Sequence, residues 1–144
     1  MQADSGITAV AHAIQLAVAP VFLLSGVAAL LVVLTNRLAR VIDRSRVLSP
    51  HSSSHSPDAP EHAELQTLAR RAKLISRAIA WCTISALLVC AVIATLFGGA
   101  FARFDASVPV ALLFVAAMVA LFGGLLAFLR EIFLATANLR IDPH

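Results

Sequence analysis

An all-α integral membrane protein is the fold class this sequence predicts, with three transmembrane helices and a cytoplasmic helical hairpin that extends the first two. Three observations predict it. Of 144 residues, 60% are hydrophobic and 13% charged, and the mean hydropathy is +0.89, too apolar for an ordinary soluble domain of that length. Long apolar runs occupy residues 14–35, 79–101 and 108–129, and about 20 apolar residues suffice to cross a bilayer. Between the first two runs, apolar positions recur every three or four residues on both sides of a Ser/Pro/His-rich break, the pattern of two helices folded back on each other. The whole chain, 1–144, is then a single membrane domain.

The N-terminal residues 1–13 carry Asp4 but no Lys or Arg, and the run that follows is too long for a secretory signal, so the first span is expected to stay in the mature protein. Ser5, Thr8, His12 and Gln15 recur at helical spacing and draw a polar stripe suited to lipid headgroups. His12 would serve a metal or a pore mouth only with partners, and the sequence places no second ligand near it. The first span, 14–35, is 22 residues, about 33 Å of helix against a hydrocarbon core of about 30 Å. Pro20 removes a backbone donor within it and predicts a kink. Ser25 and Gly26 make a thin spot where another helix can approach closely.

Residues 36–78 form the predicted cytoplasmic hairpin. On its first arm Leu34, Leu38, Val41, Ser45 and Leu48 are spaced four, three, four and three, and on its second Leu65, Leu68, Ala72, Ile75 and Ile79 are spaced three, four, three and four. The segment 50–60 between them is rich in Ser, Pro and His and cannot bury enough surface to order itself, which predicts a mobile tip. His51 and His55 have metal-like spacing, but their Ser and Pro neighbours oppose the helix that would align them.

Trp81 near the start of the second span, 79–101, marks its inner boundary, where an amphipathic ring is favoured. Thr83, Ser85 and Thr95 are expected to return their hydroxyls to carbonyls one turn back. Cys82 and Cys90 stand eight residues apart, about 12 Å along one helix, so they cannot bridge each other and are expected to pack. Gly98 and Gly99 loosen the outer end. A tight connection at 102–107 follows, and Ser107 with Pro109 resembles a helix start with its cap. Along the third span, 108–129, Ala116, Ala120, Gly124 and Ala127 make a flat face that serves either intrachain packing or oligomerisation. The helix is expected to continue through Arg130 and Glu131, with Pro143 ending regular structure and the tail packing against the base of the hairpin.

Charge assigns the sides. Arg37, Arg40, Arg44, Arg46, Arg70, Arg71, Lys73 and Arg77, eight of the eleven basic residues, lie between the first and second spans. Arg130 and Arg140 follow the third, and only Arg103 falls in the short loop. Basic residues near span ends are retained in the cytoplasm, which puts the N-terminus outside and the C-terminus inside a bacterial cytoplasmic membrane. The net charge of +3 and pI near 9.7 do not indicate nucleic acid, because the basic residues flank apolar spans without interleaved aromatics. Anionic lipid headgroups are the expected counter-charge.

No acidic, basic or His residue lies in the central part of any span, which argues against a proton-coupled transporter. There is no phosphate-binding Gly-rich loop, no H-E-x-x-H and no Ser/His/Asp set, so no enzyme, metal site or cofactor is expected. What remains is a basic collar. Arg37, Arg40 and Arg44 share a face, Asp43 is placed to pair with Arg40 or Arg46, and Glu131 with Arg130 emerges at the depth where it would take an arginine from the first or second arm. These residues, with Arg70, Arg71 and Arg77, are the candidates for binding lipid or a partner. Topological retention and surface ion pairs are the simpler account of the same charges.

Four blocks in order, Q-L-A-V-A-P-V-F-L-L from Gln15, N-R-L-A-R-V-I-D-R-S-R from Asn36, L-A-R-R-A-K-L-I-S-R-A-I from Leu68 and A-F-L-R-E-I from Ala127, resemble a family of small bacterial membrane proteins catalogued as a domain of unknown function. The resemblance covers 7–139 apart from the tip and implies a three-span membrane protein. It implies no activity, so Arg37, Arg40, Asp43, Arg44, Arg130 and Glu131 enter as motif positions. The expected function is that of a non-enzymatic membrane scaffold or regulator that self-associates or binds a membrane protein partner. Its rivals are a small oligomeric ion channel and an anionic-lipid-binding protein.

Overall fold

The computed structural model describes residues 2–52, 60–102 and 105–137, and every regular element among them is an α-helix. Helix α1 is Gln2–Ser52, α2 is Pro60–Ala102 and α3 is Ser107–Ala137. All three are long and apolar enough to cross a membrane, through stretches at Gly6–Val47, Leu65–Ala102 and Ser107–Thr136. The 51 residues of α1 measure roughly 76 Å, more than twice a hydrocarbon core, so the helix carries its register well past the apolar run.

Several boundaries differ from expectation. The helix α1 runs through the buried Pro20, as a continuous first span requires, but it also passes Pro50 to reach Ser52, inside the segment 50–60 expected as the tip. Passing Pro50 costs one helical bond, the one to the Arg46 carbonyl, less than two turns from the helix end. Pro60 opens α2, where a missing N–H costs nothing. Most of the expected mobile tip, at 53–59, lies outside the described residues, as do Arg103 and the tail at 138–144. His55 and the side chains of His51 and His62 fall outside them too, so the tip's metal reading does as well.

The chain divides into two compact units. One comprises Met1–Leu30 and Trp81–Phe122. Its buried positions are Ala13, Ala17, Pro20 and Val27 on α1, Cys82, Ser85, Val89 and Val92 on α2, and Ala117 and Ala120 on α3. Most are small, as they must be where lipid removes the hydrophobic drive between helices and close packing replaces it. Large side chains such as Phe22, Leu87, Leu112 and Phe122 face outward, a surface that only a membrane solvates. The Ser85 hydroxyl, expected to bond back along its own helix, instead donates to the Ala117 carbonyl of α3 at 2.9 Å. At its depth in the seam the facing backbone is as near as its own. Thr95 does bond back, to Ala91 at 2.7 Å. Cys82 packs as expected, whereas Cys90 is exposed, because only the former falls on the buried repeat.

The start of α3 also differs. The Ala106 carbonyl accepts the first helical bond, from the Val110 N–H at 3.0 Å, and Asp105 Oδ1 accepts the Ser107 N–H at 3.0 Å. Asp105, not Ser107, therefore satisfies the exposed donor at this terminus. The hydrogen bonds with the Ser107 side chain and backbone hold the Asp105 carboxyl below its usual pKa.

The other unit comprises Leu31–Ala80 and Gly123–His144. Leu34 and Val41 of α1, Leu68, Ile75 and Ala78 of α2, and Gly124 and Glu131 of α3 are its buried positions. Here the largest fully buried apolar residues are Leu34 and Ile75. On α1 the buried series Val27, Leu34, Val41 steps by seven, and on α2 so does Leu68, Ile75, Cys82, Val89. A repeat of 3.5 residues keeps one stripe of a helix turned toward a neighbour.

A carboxylate clamp and its basic groove

The stripe on α3 runs Ala117, Ala120, Gly124 and, seven residues on, Glu131. An acid thus occupies a packing position, with 0% of its side chain exposed, and a carboxylate there must be paired or it would not be tolerated. Its partners come from both other helices. Arg37 of α1 donates Nη1 to Oε2 at 2.5 Å, and Arg71 of α2 donates Nε and Nη2 to Oε1 at 3.3 and 3.0 Å. Each arginine stands three residues after a buried leucine, Leu34 or Leu68, which sets it roughly 60° round from the seam. From that flank its stem lies along apolar surface while the guanidinium reaches the seam's edge. The Arg37 guanidinium also sits over the Phe128 ring, 5.3 Å from its centroid, which adds a cation–π attraction to its ion pair.

Beside the clamp is a groove of about 240 Å³ lined by Arg37, Arg40, Val41, Arg44, Leu68, Arg71 and Glu131. Arg40 and Arg44 are exposed, on the same flank of α1 as Arg37. The lining holds four guanidinium groups and one carboxylate, so it is three charges positive.

The other candidates are dispersed. Arg46, Arg70, Lys73, Arg77 and Arg130 are exposed and none lines this groove. Asp43 is exposed, and among the described residues no ion pair joins it to Arg40 or Arg46. Both partners would have to immobilise long side chains in water for little gain. Of the small-residue positions, Ala120 and Gly124 are buried and Ala127 half-buried, but Ala116 is exposed and the buried position is Ala117. The exact helical phase, invisible in an all-apolar run, decides between those neighbours. Ser25 and Gly26 are exposed, and apart from the adjoining turns of α1 no atom of the described residues lies within 4 Å of where a Gly26 Cβ would be. Among the described residues the thin spot is not used for packing.

Sequence reasoning missed Phe128, Ser85 and Asp105. A signal existed for the depth of Glu131, whose distance of seven from Gly124 puts it on the small-residue stripe. None existed for Phe128, one of many apolar residues nearby. In the first unit, His12, Asp105 and Ser107 are among the residues that line a cavity of about 430 Å³. Among the described residues no cluster of three metal-ligating side chains forms.

A family model described as "Protein of unknown function (DUF2721)" matches residues 17–141, and the chain belongs to that family. The match includes the clamp and its groove. No curated protein and no solved structure matches the chain.

Proposed function

We propose that this family member is a non-enzymatic scaffold or regulator of the bacterial cytoplasmic membrane, with its N-terminus outside, its C-terminus inside, and its cytoplasmic hairpin serving as a basic docking surface for an anionic partner. One observation carries the proposal. Glu131 is wholly buried yet holds Arg37 and Arg71 from two other helices, so the cationic surface is pre-arranged rather than a fringe of independent side chains. An ionisable residue buried at the edge of a membrane span is expensive and marks function more often than ornament. Arg37, Arg40 and Arg44 lie directly after the first apolar run, where anionic headgroups or an acidic partner would meet them.

Native mass spectrometry of the complex released from bacterial membranes, paired with planar-bilayer recording, tests this role. A defined oligomer or hetero-complex that passes no current is the expected result. Reproducible unitary currents would overturn it in favour of a channel, and a bare monomer without partner or lipid would overturn it as well.

A further inference from the structure

We infer that the groove beside the clamp is a binding site for a phosphate group, supplied by an anionic phospholipid headgroup or by a free phosphate anion. The inference rests on the reading of the hairpin as a basic docking surface and deepens it by naming the group bound and the residues that bind it. Three features lead to phosphate. The first is size: about 240 Å³ is less than the roughly 300–1,000 Å³ of pockets that enclose a whole small molecule, yet it admits one anionic group with its waters. The second is chemistry, because the donors are guanidinium forks, which match the oxygen geometry of phosphate and are less strongly hydrated than ammonium groups.

The third is pre-organisation. Glu131 takes Nη1 of Arg37 and the Nε/Nη2 edge of Arg71, which fixes both planes while occupying only part of each fork. Two cations already held in place lose little freedom when an anion arrives. The carboxylate neutralises one of four positive charges, so the lining still attracts an anion. Arg40 and Arg44, one and two turns along α1 from Arg37, close the groove on the exposed side.

The clamp arginines are unsuitable for a first test, since losing either one leaves a buried carboxylate underpaired. The exposed pair is suitable. Purified full-length chain in mild detergent is titrated with phosphatidylglycerol, with phosphatidylcholine, and with inorganic phosphate alone, and occupancy is read by native mass spectrometry. Phosphatidylglycerol is expected to be retained over phosphatidylcholine, and R40Q/R44Q to lower its retention roughly tenfold at unchanged helicity. R70Q/K73Q removes the same charge from exposed positions off the groove and is expected to leave retention unaltered.

Inorganic phosphate that displaces the lipid from wild type makes the free anion a ligand of the same site, and failure to displace it assigns the site to the headgroup. If both double variants lose lipid alike, the groove is not a site and the phosphate inference fails, while the hairpin's role as a diffuse basic surface survives. If phosphatidylglycerol and phosphatidylcholine bind equally, and neither double variant changes that, both proposals fail. Should R40Q/R44Q lose helicity, wild type is titrated in rising salt. Release of phosphatidylglycerol with phosphatidylcholine retained supports the inference, and indifference to salt overturns it.

Discussion

Glu131 shows how one buried charge can organise its neighbours. Taking a carboxylate out of water costs several kcal/mol, and the paired guanidiniums of Arg37 and Arg71 offset it. Removing the acid leaves two cations crowded at the seam, so Glu131→Ala is expected to destabilise the protein by about 3–5 kcal/mol, read as thermal unfolding by circular dichroism in mild detergent. An apolar triad has no such debt. The triple variant R37M/R71M/E131L is expected to return to within about 1 kcal/mol of wild type, and if it stays as unstable as Glu131→Ala, the clamp contributes more than mutual neutralisation. Asp105 offers a contrast on the surface. Its pKa is lowered in the folded chain, so its contribution is full above the unfolded carboxylate value and lost as pH falls through the folded one. Stability of wild type is therefore expected to decline below the ordinary carboxylate range. In Asp105→Asn, which keeps an acceptor for the Ser107 N–H but cannot titrate, that part of the acid sensitivity should vanish from unfolding curves recorded against pH.

At the scale of the helix, what matters is which stripe faces inward. Ala117 is wholly buried and accepts the Ser85 hydroxyl through its carbonyl, whereas Ala116, its neighbour, is exposed. Ala117→Leu should force the helices apart at about 1–3 kcal/mol, while Ala116→Leu should be nearly neutral, as measured by thermal unfolding in detergent. Ser85→Ala is expected to cost only about 0.6 kcal/mol, because hydroxyl bonds inside membranes find replacement partners. This stripe was only partly legible. The hairpin seams Leu34–Leu38–Val41 and Leu68–Ala72–Ile75 stand out because arginines and other polar residues flank them, and their period can be counted. Within the spans nearly every residue is apolar, so no contrast marks the inner face, and Ala116 and Ala117 are equivalent as letters. Glu131 was legible as a partner for arginine because a charge in such surroundings must be answered. Which arginines answered it depended on the flank of each seam, a three-dimensional fact that spacing narrows to Arg37 and Arg71 only once the phase of all three helices is set.

For the molecule as a whole, the distribution of basic residues matters more than their number. Eight of eleven lie between the first and second spans, and the segment before the first span has none. Carrying those eight across a bilayer would expose them to the insertion bias that retains Lys and Arg in the cytoplasm, whereas the opposite orientation asks only Arg103 to cross. The groove and the topology are thus linked through the same side chains. In the proposed orientation Arg37, Arg40 and Arg44 hold the first arm inside, which would bring their guanidinium groups to the cytoplasmic leaflet, whose negative surface potential supplies a high local concentration of anionic headgroups. A fluorescent protein that folds only in the cytoplasm, fused after Asp105, is expected to stay dark, and the same fusion at the C-terminus to glow. A periplasmic phosphatase at the two positions should give the reverse pattern. Light from the fusion after Asp105 would invert the protein in the membrane and take from the arginine groove the leaflet that is proposed to fill it.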